Sequence, residues 1–495
     1  MAQNKSKSKS KSDSNIVAWA GFDLSTTGLA LGVRSKSGDE AYAQVKMRGA
    51  TTWQGQPAFD LTQTPCLVLT LLDDLESRGW TFVDTAFSFA VRQHDMVLLD
   101  AGGQLLMPAL SWQCNAASQE VQELRRQGAE ATVGRVEERF ILPKLMWALR
   151  KEPRLRKSIA HVMTTGDWIA CLLTGRARLS TSDALSNGLL VQHTKRLAEG
   201  VMRKAKLVPA WFPPVIQSGR EIGAVTLKHV PGADDTWMAV KQRLAGSRVI
   251  SGLGDNHATG VGCGLEEDDF ETIVISAGTS GTVNRVCPAN VPLAGHAACF
   301  EYYKNRLLLM MLADCCKWYD RFVTQYAASF ADRLNDLNVA AAAADLTGLR
   351  RVLHAGGKET YPPDWNRLTV GQQTASTQLS IMLELLLRVR AMLAEVPGAK
   401  KPVSTFVLTG GLSQSPFFQQ VFHAGVQLLS PQAKLLMSAR QGPLRYQTAA
   451  YGALLNSMRP RDPQAAAKLC PTRTAARPDA ATKQQLQYLL KAFGL

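Results

Sequence analysis

Apolar and polar residues alternate near the start of the chain in a way that predicts a β-hairpin over residues 16–34. The apolar positions of its two strands are Val17, Trp19, Phe22, Leu29, Leu31 and Val33. A turn of Ser25, Thr26, Thr27 and Gly28 joins the strands. The same pattern predicts a second hairpin over 272–287. The chain therefore repeats one local structure about half a chain apart.

The rest of the pattern predicts alternating strands and helices. Apolar residues at helical spacing predict helices at about 65–78, within 120–175, and at 311–329, 333–345, 371–395 and 481–492. Short apolar runs predict strands at 82–89, 95–99, 247–251 and 405–408, and paired prolines predict a loop within 205–223. A further helix is predicted to begin with Ser415 as N-cap and Pro416 in its first turn. This order predicts an α/β protein made of two duplicated halves.

Composition shifts along the chain suggest where the domains begin and end. The repeated Lys and Ser residues of 1–14 cannot bury apolar surface, so a disordered basic tail is predicted there. The acidic stretch 266–269 is the predicted boundary between a first domain over 15–264 and a second over 270–457. Residues 458–495 are predicted to be a linker and a terminal helix.

Charge and cysteine usage narrow the class of protein. The chain of 495 residues has 56 Lys and Arg against 41 Asp and Glu, a net charge of +15. This excess suits an anionic ligand, or forms a solvated basic surface; no basic motif interleaved with aromatics points to nucleic acid. The nine cysteines lack a Cys-x-x-Cys pair, which favours reduced thiols and gives no support for zinc. With no long apolar run and no secretion signal, no membrane helix is expected and the cytoplasm is the predicted location.

The two Ser/Thr/Gly turns are candidate phosphate sites. Such turns present backbone N–H groups and hydroxyls to one point, as a phosphate chain requires. Asp23 precedes the first turn, where its carboxylate would repel phosphate unless a cation such as Mg²⁺ lay between them. The alternative is that Asp23 caps its own turn. The second turn, at 278–281, favours the metal interpretation.

Three further stretches are candidates for chemistry. Asp255, between Gly254 and Asn256, follows a predicted buried strand and could accept a proton from an attacking hydroxyl, although an ordinary turn explains it as well. Gly410 and Gly411 precede a helix and could contact a nucleotide, or form a plain strand–helix turn. The candidate sugar contacts are Gln93, His94 and Trp112, of which the histidine could instead be structural. Cys315 and Cys316 are predicted to pack near a functional loop.

Taken together, these stretches resemble the FGGY family of carbohydrate kinases, and within it the xylulokinase-like branch, from about residue 16 to 457. Each motif is weak alone, but the set occurs in the family's order. The stretches that carry the resemblance are 21–27, 93–94 with 98–100, 143–147, 181–184, 254–256, 277–282 and 409–411. The resemblance implies an α/β fold of two ribonuclease-H-like domains, of the actin/hexokinase type, with an active-site cleft between them.

The resemblance also implies roles for single residues. It makes Asp255 the general base and places Mg²⁺ on Asp23 and Asp255. The implied ATP and phosphate contacts are Ser25, Thr26, Thr27, Gly278, Thr279, Ser280, Gly410 and Gly411. The implied sugar contacts are Gln93, His94, Trp112, Asp255 and Asn256. Family members often dimerise, so a homodimer is an expectation.

The chain departs from the family pattern around the sugar and adenosine motifs. Residues 92–95 read Arg-Gln-His-Asp instead of the commoner Gln-Met-His-Gly, and Ala-Asp-Cys-Cys stands at 313–316 where a glycine is expected. The phosphate turns and Asp255 are intact. The leading hypothesis is therefore ATP-dependent phosphorylation of a small sugar or polyol, for example a ketopentose such as D-xylulose. The alternative is a non-catalytic sugar or nucleotide sensor on the same fold.

Overall fold

A computed structural model describes residues 15–49, 51–192, 194–278, 280–325, 333–355, 358–399 and 401–495. The predicted basic tail over 1–14 and the candidate phosphate contact Thr279 lie outside these ranges. The chain divides into two units. The first runs up to Gly262 and includes Gln441–Ala466, and the second comprises Cys263–Arg440 and Ala467–Leu495.

The first unit contains a mixed sheet with helices and smaller strand pairs around it. Its strands up to Gly262 are β1 (Ile16–Leu24), β2 (Gly28–Ser35), β3 (Glu40–Lys46), β4 (Thr51–Trp53), β5 (Gln56–Phe59), β6 (Thr81–Val91), β7 (Val97–Leu99), β8 (Ala109–Leu110), β9 (His161–Met163), β10 (Leu179–Ser180), β11 (Val215–Ile216), β12 (Glu221–Ala224), β13 (Arg248–Ile250) and β14 (Leu253–Gly254). Its helices up to that point are α1 (Thr64–Ser77), α2 (Ser118–Arg126), α3 (Glu130–Val133), α4 (Ile141–Lys151), α5 (Leu155–Ser158), α6 (Thr165–Thr174), α7 (Thr181–Ser186), α8 (Glu199–Lys204), α9 (Asp235–Arg243) and α10 (Asp255–Gly262).

The predicted hairpin forms the antiparallel start of the main sheet. The strand order is β12-β13-β6-β1-β2-β3, and β14 also pairs with β6. Strands β1, β13 and β14 all run parallel to β6, so their carboxyl ends lie at one edge of the sheet. Phe22 of β1 stacks on Phe89 of β6 and meets Phe87 edge to face, which fixes this pairing within the core. This edge is where a ligand site is expected.

The second unit repeats the arrangement. Its strands are β15 (Thr272–Ala277), β16 (Gly281–Cys287), β17 (Ala298–Tyr302), β18 (Asn305–Leu312), β19 (Leu353–Ala355), β20 (Lys358–Thr360), β21 (Thr405–Thr409) and β22 (Lys434–Ser438). Its helices are α11 (Cys315–Thr324), α12 (Arg333–Ala342), α13 (Val370–Ala394) and α14 (Pro416–Leu429). As in the first unit, an antiparallel hairpin begins the sheet and a parallel strand, β21, joins its first strand. The duplication predicted from the repeated hairpin is present.

The end of the chain serves both units. It contains α15 (Thr448–Met458), α16 (Ala465–Leu469), β23 (Thr472–Thr474) and α17 (Ala480–Ala492). Helix α15 packs in the first unit, where a Cβ on Gly21 would lie 2.2 Å from the Ala450 carbonyl and one on Gly452 would lie 1.8 Å from the Ala258 carbonyl. Only glycine permits such an approach. Residues 441–466 therefore belong with the first unit. The sequence-based prediction had assigned 441–457 to the second domain, 270–457.

Several element predictions need correction. Residues 458–480 are not simply a linker, since α16 lies there and β23 pairs with β22 at the end of the second sheet. The helix predicted from 311 begins at Cys315, because Met311 and Leu312 complete β18. The caps of α14 are as predicted, with Ser415 accepting from the Phe418 N–H and Pro416 in the first turn. In the part of the chain that the structure describes, no helix is long and apolar enough to cross a membrane.

Candidate active site

Three chemically important residues of the first unit lie at the carboxyl edge of its sheet. Asp23 is the second-last residue of β1, Arg92 directly follows β6, and Asp255 directly follows β14. Because β1 and β14 flank β6 as parallel partners, the sheet brings these residues together from positions more than 200 apart in sequence. The two carboxylates proposed from the sequence are thus neighbours.

The two carboxylates affect each other electrostatically. The pKa of Asp23 is raised to about 7, chiefly by burial and also by the charge of Asp255, while the charge of Arg92 opposes both. Burial also raises the pKa of Asp255 to about 6, against the N–H of Asn256, which donates to its carboxylate at 2.8 Å. Two carboxylates that resist ionising together form a site at which a cation would be stabilised.

The first turn is closed by its own residues and held from outside. The Ser25 N–H donates to the Gly28 carbonyl at 3.0 Å. The Trp112 indole donates to the Thr26 hydroxyl at 3.2 Å, and Arg92 donates to the Ser25 carbonyl. The side chains of Thr26 and Thr27 are exposed, which leaves their hydroxyls accessible to a ligand.

Arg92 and Asp95 form an ion pair that is almost fully buried, with 3% and 0% of the side chains exposed. Asp95 also accepts from the backbone N–H of Trp112 at 3.3 Å and from the Thr165 hydroxyl at 3.4 Å. The guanidinium of Arg92 lies 3.7 Å from the centre of the Phe59 ring. The departure from the family pattern at 92–95 is therefore a matched pair of charges that connects the first turn to Trp112.

The candidate sugar contacts Gln93 and Asn256 lie together. Asn256 donates its side-chain amide to Gln93 Oε1 at 2.8 Å. A Cβ on Gly254 would lie 2.2 Å from Gln93 Cγ, so glycine is required at 254 for Gln93 to occupy this position. The amide nitrogen of Gln93 is buried and has no hydrogen-bond partner among the described residues. A buried donor without a partner favours a ligand contact, because leaving it unpaired costs about 1–3 kcal/mol.

His94 and its surroundings depend on two residues that the sequence analysis did not single out as site residues. Asn187, at the end of α7, bonds to the His94 ring at 3.2 Å and to the Gln93 carbonyl at 2.6 Å. Lys144 of α4 is fully buried and donates to the carbonyls of His94, Leu110 and Ser111. Together they fix the backbone of residues 93–94.

The donor set of this site fits Mg²⁺. Among the described residues, no group of three or more His, Cys, Asp and Glu side chains could hold a metal ion. Mg²⁺ does not need one, because it is bound through one or two carboxylates with phosphate oxygens and water completing its shell. Asp23 and Asp255 are two carboxylates whose mutual repulsion such a cation would relieve.

The second unit brings its two predicted ligand turns together. Strands β15 and β21 are parallel neighbours, so the turn after Ala277 and the turn after Thr409 lie at the same sheet edge. Gly410 has φ +98°, and a Cβ there would lie 2.4 Å from the Ala277 carbonyl. Gly411 has open space around it. The turn at Gly278 and Ser280 and the Gly410–Gly411 turn thus form one candidate anion site within this unit.

The adjacent cysteines support this second turn. The Cys316 N–H donates to the Gly278 carbonyl at 2.9 Å, and its thiol donates to the Ala277 carbonyl at 3.1 Å. Cys315 is fully buried, and a Cβ on Gly281 would lie 3.0 Å from its own. The predicted packing of this pair against the loop at 277–281 agrees with these contacts, and the close approach to Gly281 explains why a small side chain stands at 315.

Comparison with known proteins gives a family match within the part of the chain that forms the first unit. Residues 84–262 match the model of the FGGY family of carbohydrate kinases, N-terminal domain. A xylulose kinase of Escherichia coli K12 is 27% identical over 313 residues, which cover 61% of this chain and 62% of that enzyme. The matched stretch thus spans less than two thirds of that relative's length.

Solved structures show the same fold over nearly the whole chain. A ligand-bound xylulose kinase from Lactobacillus acidophilus superposes with a TM-score of 0.77 at 16% identity, covering 97% of this chain and 96% of that one. A gluconate kinase from the same organism superposes with a TM-score of 0.76 at 16% identity, with the same coverage. The two-domain actin/hexokinase-type fold expected from the resemblance is confirmed. The likeness is nearly the same for two proteins named for different substrates, so the fold does not identify a substrate.

Proposed function

We propose, from the premise that residues 84–262 belong to the FGGY family of carbohydrate kinases, that this chain transfers the γ-phosphate of ATP to a hydroxyl of a small sugar or polyol. The observation that carries the proposal is the pair Asp23 and Asp255 at the carboxyl edge of the first sheet, beside a Ser/Thr turn. A sensor would have no need of a second carboxylate positioned to accept a proton. The alternative of a non-catalytic sensor loses its support at 92–95, because the changed residues there compensate each other.

In this proposal Asp255 is the catalytic base. Its carboxylate accepts the proton of the attacking hydroxyl, while Gln93, Asn256 and His94 bind and orient the sugar. Trp112 offers an aromatic face beside the first turn. The residues of that turn, Ser25, Thr26 and Thr27, donate hydrogen bonds to phosphate oxygens and so stabilise charge that develops during transfer.

The remaining parts of the proposal concern ATP and its metal. Asp23 and Asp255 would hold Mg²⁺, which when bound supplies positive charge to phosphate oxygens. The two turns of the second unit would bind the nucleotide through backbone N–H groups. The residues proposed from the sequence for this role are Gly278, Thr279 and Ser280, together with Gly410 and Gly411. The curated relative named above makes D-xylulose the first sugar to test.

The proposal is tested by ADP release from ATP over a panel of ketopentoses, aldonates and polyols, with and without Mg²⁺. We expect release that depends on one class of sugar and on the metal. A chain that binds sugar or nucleotide, as measured by calorimetry, but releases no ADP with any member of the panel would be a sensor.

A substitution at Asp255 tests the role of the base. General-base catalysis contributes about 10²–10⁴-fold, so Asp255→Asn should lower kcat by at least that factor while the chain remains folded. The matched control is Asp234→Asn, because Asp234 caps α9 by accepting from the Trp237 N–H and asparagine caps equally well. Turnover of Asp255→Asn within tenfold of the parent would contradict the assignment.

A further inference from the structure

The side chain of Asn187 is fully buried and makes four hydrogen bonds, whose directions can be assigned from chemistry. Its amide nitrogen donates to the backbone carbonyls of Gln93 at 2.6 Å and Asp183 at 2.8 Å. Carbonyl oxygens only accept, so the nitrogen of the amide must face them. Its oxygen, Oδ1, accepts from the Ile141 N–H at 3.2 Å. The orientation of this amide is therefore fixed from both ends.

The fixed amide determines which nitrogen of His94 carries the proton. Oδ1 of Asn187 lies 3.2 Å from His94 Nδ1, and this oxygen cannot donate. Nδ1 must therefore carry hydrogen. Burial, together with the charges of Arg139 and Lys144, holds the pKa of His94 well below its usual value, so the ring is neutral near pH 7. A neutral imidazole has one N–H, and Nε2 is left as an acceptor.

Two polar atoms of this segment then remain for a ligand. His94 Nε2 has no hydrogen-bond partner among the described residues, and neither does the buried Nε2 of Gln93. The ring of His94 is held in place by stacking on Phe140, with centroids 5.1 Å apart. Lys144 fixes the backbone by donating to the His94 carbonyl. One atom accepts, the other donates, and both sit on adjacent residues.

We propose that Asn187 is a positioning residue that sets His94 to accept a hydrogen bond from a sugar hydroxyl, while Gln93 donates to an oxygen beside it. The inference deepens the proposed function and rests on it for the identity of the ligand as a sugar. The ligand must offer a hydroxyl next to a second oxygen, either a carbonyl, as in a ketose, or another hydroxyl, because only such a pair satisfies both atoms. A ligand that carries only acceptors at this place leaves His94 unpaired.

The tautomer can be measured directly on the full chain labelled with ¹⁵N-histidine. The His94 signals are those lost in His94→Asn. We expect a neutral ring protonated at Nδ1. We also expect the Nε2 resonance to shift when D-xylulose is added, or when the panel sugar that supports ADP release from ATP is added in its place. A ring protonated at Nε2, or an imidazolium at pH 7, would overturn the inference. So would a sugar that is phosphorylated while the Nε2 resonance stays in place.

Substitution of Asn187 separates positioning from general structure. Asn187→Leu should allow the Nε2–H tautomer and raise the KM for sugar about tenfold or more, with the KM for ATP changed less than about threefold. The control is Asn456→Leu, since Asn456 is also fully buried and donates to Ser88 at 2.7 Å and Ser251 at 2.9 Å, away from residues 93–94. This control should leave the His94 tautomer as in the parent.

A second pair of variants covers the case in which Asn187→Leu does not fold. His94→Gln places an amide oxygen near the position of Nε2, whereas His94→Asn retains only the donor near Nδ1. We expect the KM for sugar to be at least about tenfold lower in His94→Gln than in His94→Asn. Equal values would contradict an acceptor at Nε2. Should no sugar release ADP, the proposed function fails, and the tautomer measurement alone still decides the role of Asn187.

Discussion

Removal of one charge from the buried pair Arg92–Asp95 should destabilise the first unit far more than removal of both. Asp95→Asn removes the carboxylate that forms the ion pair with the buried guanidinium of Arg92, and Arg92→Gln removes the cation that forms it with the buried carboxylate of Asp95. Both side chains are almost completely buried, so water cannot replace the lost partner. The double variant Arg92→Gln/Asp95→Asn retains hydrogen-bonding groups at both positions and buries no charge.

The size of the effect follows from the burial. Breaking a buried pair by removing one partner costs about 3–5 kcal/mol, so each single variant should lose that much free energy of unfolding. The double variant should lose less than either single one, which is a coupling of about 2 kcal/mol or more. The exposed pair Arg203–Glu199, at 2.6 Å but with 64% and 51% of its side chains exposed, provides the control. Arg203→Gln should cost no more than about 0.5 kcal/mol.

The assay is equilibrium unfolding in urea followed by circular dichroism, with hydrogen exchange over β6 to assign the transition to the first unit. Unchanged m-values would show that only stability differs among the variants. Costs below about 1 kcal/mol for both single variants, or strictly additive costs in the double variant, would refute the reasoning. Either result would mean that the pair is hydrated or that the two side chains do not interact.

Two other predictions concern a glycine and a buried carboxyl. Gly410→Ala should destabilise the second unit by about 2 kcal/mol or more, from its positive φ and its clash with Ala277, whereas Gly411→Ala should leave thermal unfolding unchanged. Equal melting temperatures for the two variants would contradict this. Burial raises the pKa of Asp167 from 3.8 to about 7, so its contribution to stability is complete below about pH 4 and is lost as the pH rises through 7. The free energy of unfolding of the parent, measured in urea from pH 4 to 8, should therefore fall relative to that of Asp167→Asn, and a constant difference would contradict the shift.

Features that depend on neighbouring residues could be read from the sequence. The two hairpins, the caps of α14 and the strand before Gly410 are specified by residues a few positions apart, and the structure has them where they were predicted. The sequence also placed Asp23 and Asp255 each next to a strand end, whereas their meeting at one sheet edge depends on both strands pairing with β6.

Features that depend on distant partners could not be read in this way. Asn187 and Gly188 signal only the end of a helix, and nothing in the sequence shows that this amide bonds to residues 93, 94 and 141. Arg92 and Asp95 did carry a signal, because opposite charges three positions apart interrupt an apolar segment, but it indicated only a departure from the family. Lys144 lies in a motif that the sequence did identify, at 143–147, but its bonds to three carbonyls are visible only in the structure.

The return of residues 441–466 to the first unit constrains how the chain folds during its synthesis. The first sheet cannot be covered by α15 until that helix has been made, roughly 180 residues after Gly262. At the usual speed of translation, about 5–20 residues per second, this is a delay of roughly 10–40 s. Gly21 and Gly262, against which the backbone of α15 packs in the folded unit, remain exposed to solvent throughout that interval. A nascent chain in which residues 448–466 have not yet left the ribosome should accordingly be captured by chaperones and cut by proteases, whereas one in which they have left it should resist both.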